Sequence, residues 1–259
     1  MPRDERADGA RPHAGAGWLE LSTAVGPMRV YRVAPGSAAE PLAAAIVLQE
    51  AFGVNEHIQD VTRRVAAEGY LALAPDLFHR GAATVDYADH ATAMQRIAEL
   101  GPEEIGADVA AVLAHLAAIE NVPAGRTSVI GFCFGGRAAF TAATQFPRLA
   151  STVAFYGPGV AAGPHAVLDC VASITGPVLL IVGDQDPTIP AEHIAAIREA
   201  CAQAGTDLRT RIFPGAGHAF HCDARPSVYR ADAARQAWRE AAAFLAETAG
   251  SPARHPDTT

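Results

Sequence analysis

The sequence predicts an α/β protein built on a mostly parallel, doubly wound sheet flanked by helices. Three observations carry this reading. Short runs of consecutive apolar residues recur, as in Ala43 to Gln49 and Val178 to Val182, and such runs suit strands covered on both faces. Segments with apolar residues at helical spacing lie between them. After a β start, strands and helices alternate, which is the pattern of parallel crossover units.

Each element has its own signal. Leu19 to Ser22 and Met28 to Val33 read as two early strands joined at the turn dipeptide Gly26-Pro27. The Ala43 to Gln49 strand is followed by a helix over His57 to Glu68, with Ile58, Val61 and Val65 on one face and Gly69 closing it. Tyr70 to Ala74 is a strand stopped by Pro75-Asp76. Asp86 to Leu100 and Pro102 to Ile119 read as helices, the second opening with proline and two glutamates, which favour a helix N-terminus. Thr127 to Gly131 is a strand and Ala138 to Gln145 a helix. Strands at Thr152 to Tyr156, Val178 to Val182 and Leu208 to Phe213 follow, with a helix over Glu192 to Ala204 and a terminal one over Tyr229 to Glu247.

Composition narrows the function classes. Half of the 259 residues are apolar (50%) and 19% are charged, enough for a packed core. The net charge of −8, with Lys and Arg scattered, argues against nucleic acid or an anionic membrane as partner. A small-molecule partner fits best. No uninterrupted apolar run reaches the roughly 18 residues of a membrane span. Residues 1–17 have no apolar core of a secretory signal and read as a flexible leader. Residues 18–249 read as a single domain, and 250–259 as a flexible tail. Cys133, Cys170, Cys201 and Cys222 form no C-x-x-C pair, so reduced thiols in a cytoplasmic protein are expected.

The chemistry centres on Gly131-Phe132-Cys133-Phe134-Gly135-Gly136, which lies between a strand and a helix. This is the nucleophile-elbow pattern with Cys in place of Ser. The sharp turn strains the nucleophile's backbone and leaves room only for glycine two residues to either side. It also aims the sulfur at a helix N-terminus, which favours thiolate and oxyanion. A small buried cysteine at a tight turn is the structural alternative. A phosphate loop does not fit, because the spacing is neither G-x-G-x-x-G nor followed by Lys-Ser/Thr. Downstream, Gly183-Asp184-Gln185-Asp186-Pro187 follows a buried strand, and Gly217-His218-Ala219-Phe220 follows the last one. Nucleophile, acid and histidine thus fall in the chain order of such hydrolase sites, each after a strand.

From about Trp18 onward the chain resembles the dienelactone hydrolase family of α/β-hydrolases, the carboxymethylenebutenolidase-like proteins. The resemblance rests on Gln49-Glu50-Ala51-Phe52-Gly53-Val54-Asn55, Ala74-Pro75-Asp76-Leu77-Phe78, the Cys133 elbow, Gly183 to Pro190 and Gly217-His218-Ala219-Phe220. It implies the α/β-hydrolase fold and hydrolysis of a small, carboxylate-bearing ester or lactone through a thioester. Free cysteine, with a pKa of about 8.5, needs a base at neutral pH, and His218 is the expected base. Asp186, which matches the family's acid position, would orient it; Asp184 is the alternative. The backbone N–H groups of Ala51 and Phe134 would form the oxyanion hole.

The resemblance further implies that Glu50 contacts the thiol and shares in its deprotonation, and that Arg80 holds the substrate carboxylate. At the position of the family's second arginine this chain has Cys222, a departure that puts dienelactone itself in question; Arg225 lies close by in sequence. A general carboxylesterase or thioesterase and a non-catalytic ligand-binding protein are the competing readings. No cofactor is implied, since the chain supplies nucleophile, base and oxyanion donors. No metal is expected either, because the His218 to Asp223 stretch has no second cluster at zinc-site spacing. His79, His90, His115 and His193 read as surface or satisfied helix residues.

Overall fold

The computed structural model describes residues 15–36, 43–81 and 84–248. Among them, eight strands form one sheet in the order β1-β2-β4-β3-β5-β6-β7-β8. β1 (Ala16–Thr23) and β2 (Gly26–Val33) make an antiparallel hairpin around Ala24-Val25. Gly26, at a φ of 122° that side chains disfavour, opens β2. β1 thus begins inside the expected leader, whose first fourteen residues, like the tail, lie outside the described chain. β2 runs antiparallel to β4 (Leu71–Pro75), and every later pairing is parallel, through β3 (Ala44–Leu48), β5 (Thr127–Phe132), β6 (Ser151–Phe155), β7 (Val178–Gly183) and β8 (Leu208–Phe213).

The continuous apolar runs are explained by burial on both faces. In β3, Ala45 and Val47 join a core with Ile58, Val61 and Val65 of α1 (Glu56–Ala67). Their neighbours Ala44, Ile46 and Leu48 point the other way, into a core with Ile105, Val109 and Val112 of the long helix at Pro102–Ala118. That helix, α3, is preceded by α2 (His90–Ala98), which is shorter than its apolar pattern suggests. Asp89 caps α2 by accepting the Thr92 N–H at 3.1 Å, so the helix cannot start earlier. α4 (Phe134–Gln145) follows β5, and α5 (Ala191–Ala204) and α6 (Ala231–Thr248) are the last two described helices. No described helix is long and apolar enough to cross a membrane.

β3 is flanked by β4 on one side and β5 on the other, so the strand order reverses there. In open α/β sheets such reversals open a crevice at the carboxyl ends of the strands. Glu50 follows β3, Cys133 follows β5, Asp186 follows β7 and His218 follows β8.

Candidate active site

Cys133 occupies a single position between β5 and α4, at φ 53° and ψ −119°. A non-glycine residue held at positive φ costs on the order of 1–3 kcal/mol, which the surrounding packing must sustain. The flanking glycines show how. A Cβ on Gly131 would lie 1.8 Å from the Gly135 carbonyl oxygen, and one on Gly135 would lie 2.2 Å from that of Leu48. The elbow is therefore wedged against the end of β3, as the sequence pattern anticipates. α4 starts four residues before the expected Ala138, because Gly135 and Gly136 sit inside its first turn despite their poor helix propensity.

His218 faces this elbow. Its Nε2 lies 3.0 Å from Cys133 Sγ, and its Nδ1 lies 2.7 Å from Asp186 Oδ2. Asp186 is fixed by Thr188, whose N–H and hydroxyl donate to its Oδ1 at 2.9 and 2.6 Å. Burial opposes ionisation of Asp186, but the bonds from His218 and Thr188 hold its pKa below the ordinary value. Burial likewise opposes the charge on His218; once Cys133 has given up its proton, the sulfur's negative charge and the bond to Asp186 outweigh it and raise the pKa to about 10. Asp184 has a different task. It is exposed and accepts the Gly215 N–H at 2.7 Å, which braces the turn after β8.

Glu50 is 1% exposed and sits between two donors. Tyr156 Oη donates to its Oε1 at 3.4 Å, and Arg225 Nη2 donates to its Oε2 at 3.2 Å. Burial first, and then the Glu50 charge, push the Tyr156 hydroxyl well above its usual pKa, so it remains a donor. The N–H groups of Ala51 and Phe134 have no hydrogen-bond partner among the described residues. One follows β3 and the other opens α4.

The profile of the Dienelactone hydrolase family matches residues 28–249. The chain belongs to this family. Two curated relatives agree with it, both named "Putative carboxymethylenebutenolidase". The Yersinia pestis protein is 37% identical over 214 residues, covering 81% of this chain and 79% of its own. The one from Escherichia coli K12 is 36% identical over 231 residues, covering 86% and 84%. Among solved structures, a Klebsiella pneumoniae protein named "Putative Dienelactone Hydrolase" superposes with a TM-score of 0.81 at 31% identity, over 90% of this chain and 98% of that one. The fold is accordingly that of the α/β-hydrolases, and the chain is a hydrolase of the dienelactone hydrolase type.

Two residues assigned roles from the family likeness, Arg80 and Glu50, have the following partners here. Arg80 pairs with α3: its Nη1 and Nη2 donate to the fully buried Asp108 at 2.7 and 2.9 Å, and no hydrogen bond joins it to Cys133, Glu50 or His218. A buried carboxylate left without its cation is costly, so this pair holds Arg80 in place. His79, read as a surface or satisfied helix residue, has a largely buried side chain there too, partnered through Nε2 at 3.0 Å from Asp108. Secondly, Glu50 makes no hydrogen bond to the Cys133 thiol; Arg225 and Tyr156 hold it instead. Sequence reasoning leaves Arg225 unplaced and passes over Tyr156, Thr188 and His57. Thr188 has a readable signal, since a Thr two residues after an acid commonly closes a local turn. The tertiary partners of Arg225 have none.

Proposed function

We propose that the protein hydrolyses a small ester or lactone through a thioester on Cys133, with His218 as base and Asp186 as its orienting acid. The observation that supports this most is the unbroken Asp186–His218–Cys133 hydrogen-bond chain, with bonds of 2.7 and 3.0 Å, ending at a strained elbow.

In this reading His218 Nε2 takes the thiol proton as Cys133 Sγ attacks the carbonyl carbon. The tetrahedral oxyanion is received by the N–H groups of Ala51 and Phe134, which nothing else in the described chain consumes. His218 then returns the proton to the leaving oxygen as the carbon–oxygen bond breaks. For a lactone this opens the ring and leaves the new hydroxyl on the same acyl chain. Water, deprotonated by His218, attacks the thioester carbonyl; the carboxylic acid departs and the thiol is restored. Asp186 stabilises the imidazolium formed twice in the cycle without taking its proton. Glu50 and Arg225 lie beside this path. A substrate carboxylate would pair with Arg225, which is half-buried and already holds an anion, while Arg80 is committed to Asp108.

The test is a panel of chromogenic esters and lactones, with and without a carboxylate, assayed on wild type, Cys133→Ala and Arg225→Met. Carboxylate-bearing substrates are expected to be favoured in kcat/KM by wild type, that preference to vanish in Arg225→Met, and Cys133→Ala to be inactive. Full turnover by Cys133→Ala would overturn the mechanism. An undiminished preference in Arg225→Met would overturn the role given to that arginine.

A further inference from the structure

The loop after His218 helps to gather a second set of ligand-type side chains around Glu50. One ligand atom from each of Glu50, His57 and Cys222 lies within 4.8 Å of the other two, and all three residues are buried. Cys222 is a free thiol and 0% exposed. His57 carries the second observation. Its Nδ1 is taken by Asp223 Oδ1 at 2.9 Å, whereas its buried Nε2 has only the Cys222 sulfur to bond among the described residues. A sulfur is a weak hydrogen-bond partner, so this buried ring nitrogen is left under-satisfied. Asp223, itself braced by Arg64, fixes the ring so that Nε2 is the atom presented. A carboxylate behind the far nitrogen of an imidazole is the usual support of a metal-binding histidine.

The cluster also already attracts positive charge. Arg225 donates Nη2 to Glu50 at 3.2 Å and Nε to Cys222 Sγ at 3.5 Å, so one guanidinium bridges two of the three donors. Tyr87 Oη lies 3.8 Å from the same sulfur. Arg225 is on a loop, and its side chain is 18% exposed, so it can swing outward into water.

We propose that Glu50, His57 and Cys222 form a binding site for a thiophilic divalent cation, zinc by its donor set, in competition with the Arg225 guanidinium. One thiolate, one imidazole and one carboxylate suit zinc and leave a fourth position open; calcium and magnesium would reject the sulfur. Zinc–ligand bonds of about 2.0–2.3 Å require donors about 3.3–3.8 Å apart, so the three side chains must draw together by roughly an ångström. On binding, the Cys222 thiol proton and any proton on His57 Nε2 pass to solvent, and three coordinate bonds replace the two guanidinium contacts. Glu50 is then locked and Arg225 released, so zinc at this site suppresses hydrolysis; that consequence alone rests on the proposed function.

Cobalt(II), added to the chelator-treated enzyme, is a direct probe, because a cobalt–thiolate bond gives a near-ultraviolet charge-transfer band. The band is expected in wild type and in Cys133→Ser, and absent in Cys222→Ser. Asp223→Asn should weaken cobalt affinity about tenfold while the band persists, as loss of such a supporting carboxylate does. Zinc should displace the cobalt and, in the same titration, lower ester hydrolysis. No band in wild type overturns the proposal. A band lost in Cys133→Ser but kept in Cys222→Ser also overturns it, by placing the metal on the triad. If the band behaves as expected but hydrolysis is unaffected, the site stands and its coupling to the ester-cleaving centre falls.

Discussion

The two candidate acids, Asp184 and Asp186, are two residues apart, and replacing each with asparagine separates their roles. In Asp186→Asn the new Oδ1 can still accept from the Thr188 N–H and hydroxyl, which bond the native side chain at 2.9 and 2.6 Å. The amide nitrogen then faces His218 Nδ1, where Asp186 Oδ2 now sits at 2.7 Å. Two N–H groups cannot share that contact, so the imidazole must present a bare Nδ1 and carry its proton on Nε2. That tautomer points N–H at the Cys133 sulfur and cannot take the thiol proton. Wrong-tautomer variants of hydrolase triads lose about 10⁴ in kcat, which at 1.36 kcal/mol per decade is about 5 kcal/mol of barrier. A loss of about 10³–10⁴ in kcat with KM nearly unchanged is therefore expected for Asp186→Asn. Asp184→Asn keeps an acceptor for the Gly215 N–H and touches no triad atom, so it should stay within about threefold of wild type. Steady-state hydrolysis of one chromogenic ester, with folding checked by thermal melts, measures both. If Asp184→Asn is the more damaging of the two, the assignment of the acid is wrong.

Three other outcomes follow from particular contacts. Gly135→Ala puts a Cβ 2.2 Å from the Leu48 carbonyl, where both sides are backbone, and should destabilise the fold by about 3 kcal/mol or more in urea denaturation; a stable, active Gly135→Ala would contradict the packing of the elbow on β3. Burial, with His57 and Arg64 nearby, pushes the His221 pKa down to about 3, so its ring stays neutral in the fold while the unfolded chain takes a proton below about pH 6.5. Stability relative to His221→Phe should then fall by about 1.4 kcal/mol per pH unit as pH drops from about 6 towards about 4, and parallel curves would refute this. Glu50→Gln removes the buried carboxylate that Arg225 pairs with and leaves that guanidinium's charge uncompensated in the pocket, where it can attract a developing negative charge. Iodoacetamide should label Cys133 faster near neutrality in Glu50→Gln than in wild type; coincident pH profiles would make Glu50 purely structural.

Much of this site is legible in the sequence alone, and the reason is local. The elbow, the Gly183 to Pro190 loop and the Gly217-His218 turn each declare themselves through turn geometry that only certain residues satisfy. Strands such as β3 and β7 are legible because burial on both faces demands unbroken apolar runs. Legibility ends where an outcome depends on long side chains choosing among distant partners. Arg80 finds Asp108 across 28 positions and Arg225 finds Glu50 across 175, and neither choice leaves a trace in spacing. The same holds for His57, which reads as one more residue at the start of α1 until Cys222 is folded against it. Helix starts escape the sequence for simpler reasons: the Asp89 cap delays α2, and the elbow's packing overrides glycine propensity at the start of α4.

The proposed chemistry stands or falls on a covalent intermediate at Cys133, which mass spectrometry of the enzyme quenched with acid during turnover of a slow ester would detect. One added acyl mass is expected on the peptide that contains Cys133, abolished by Cys133→Ala and by hydroxylamine, which cleaves thioesters. An acyl mass on any other residue, or steady turnover by Cys133→Ala, would contradict it.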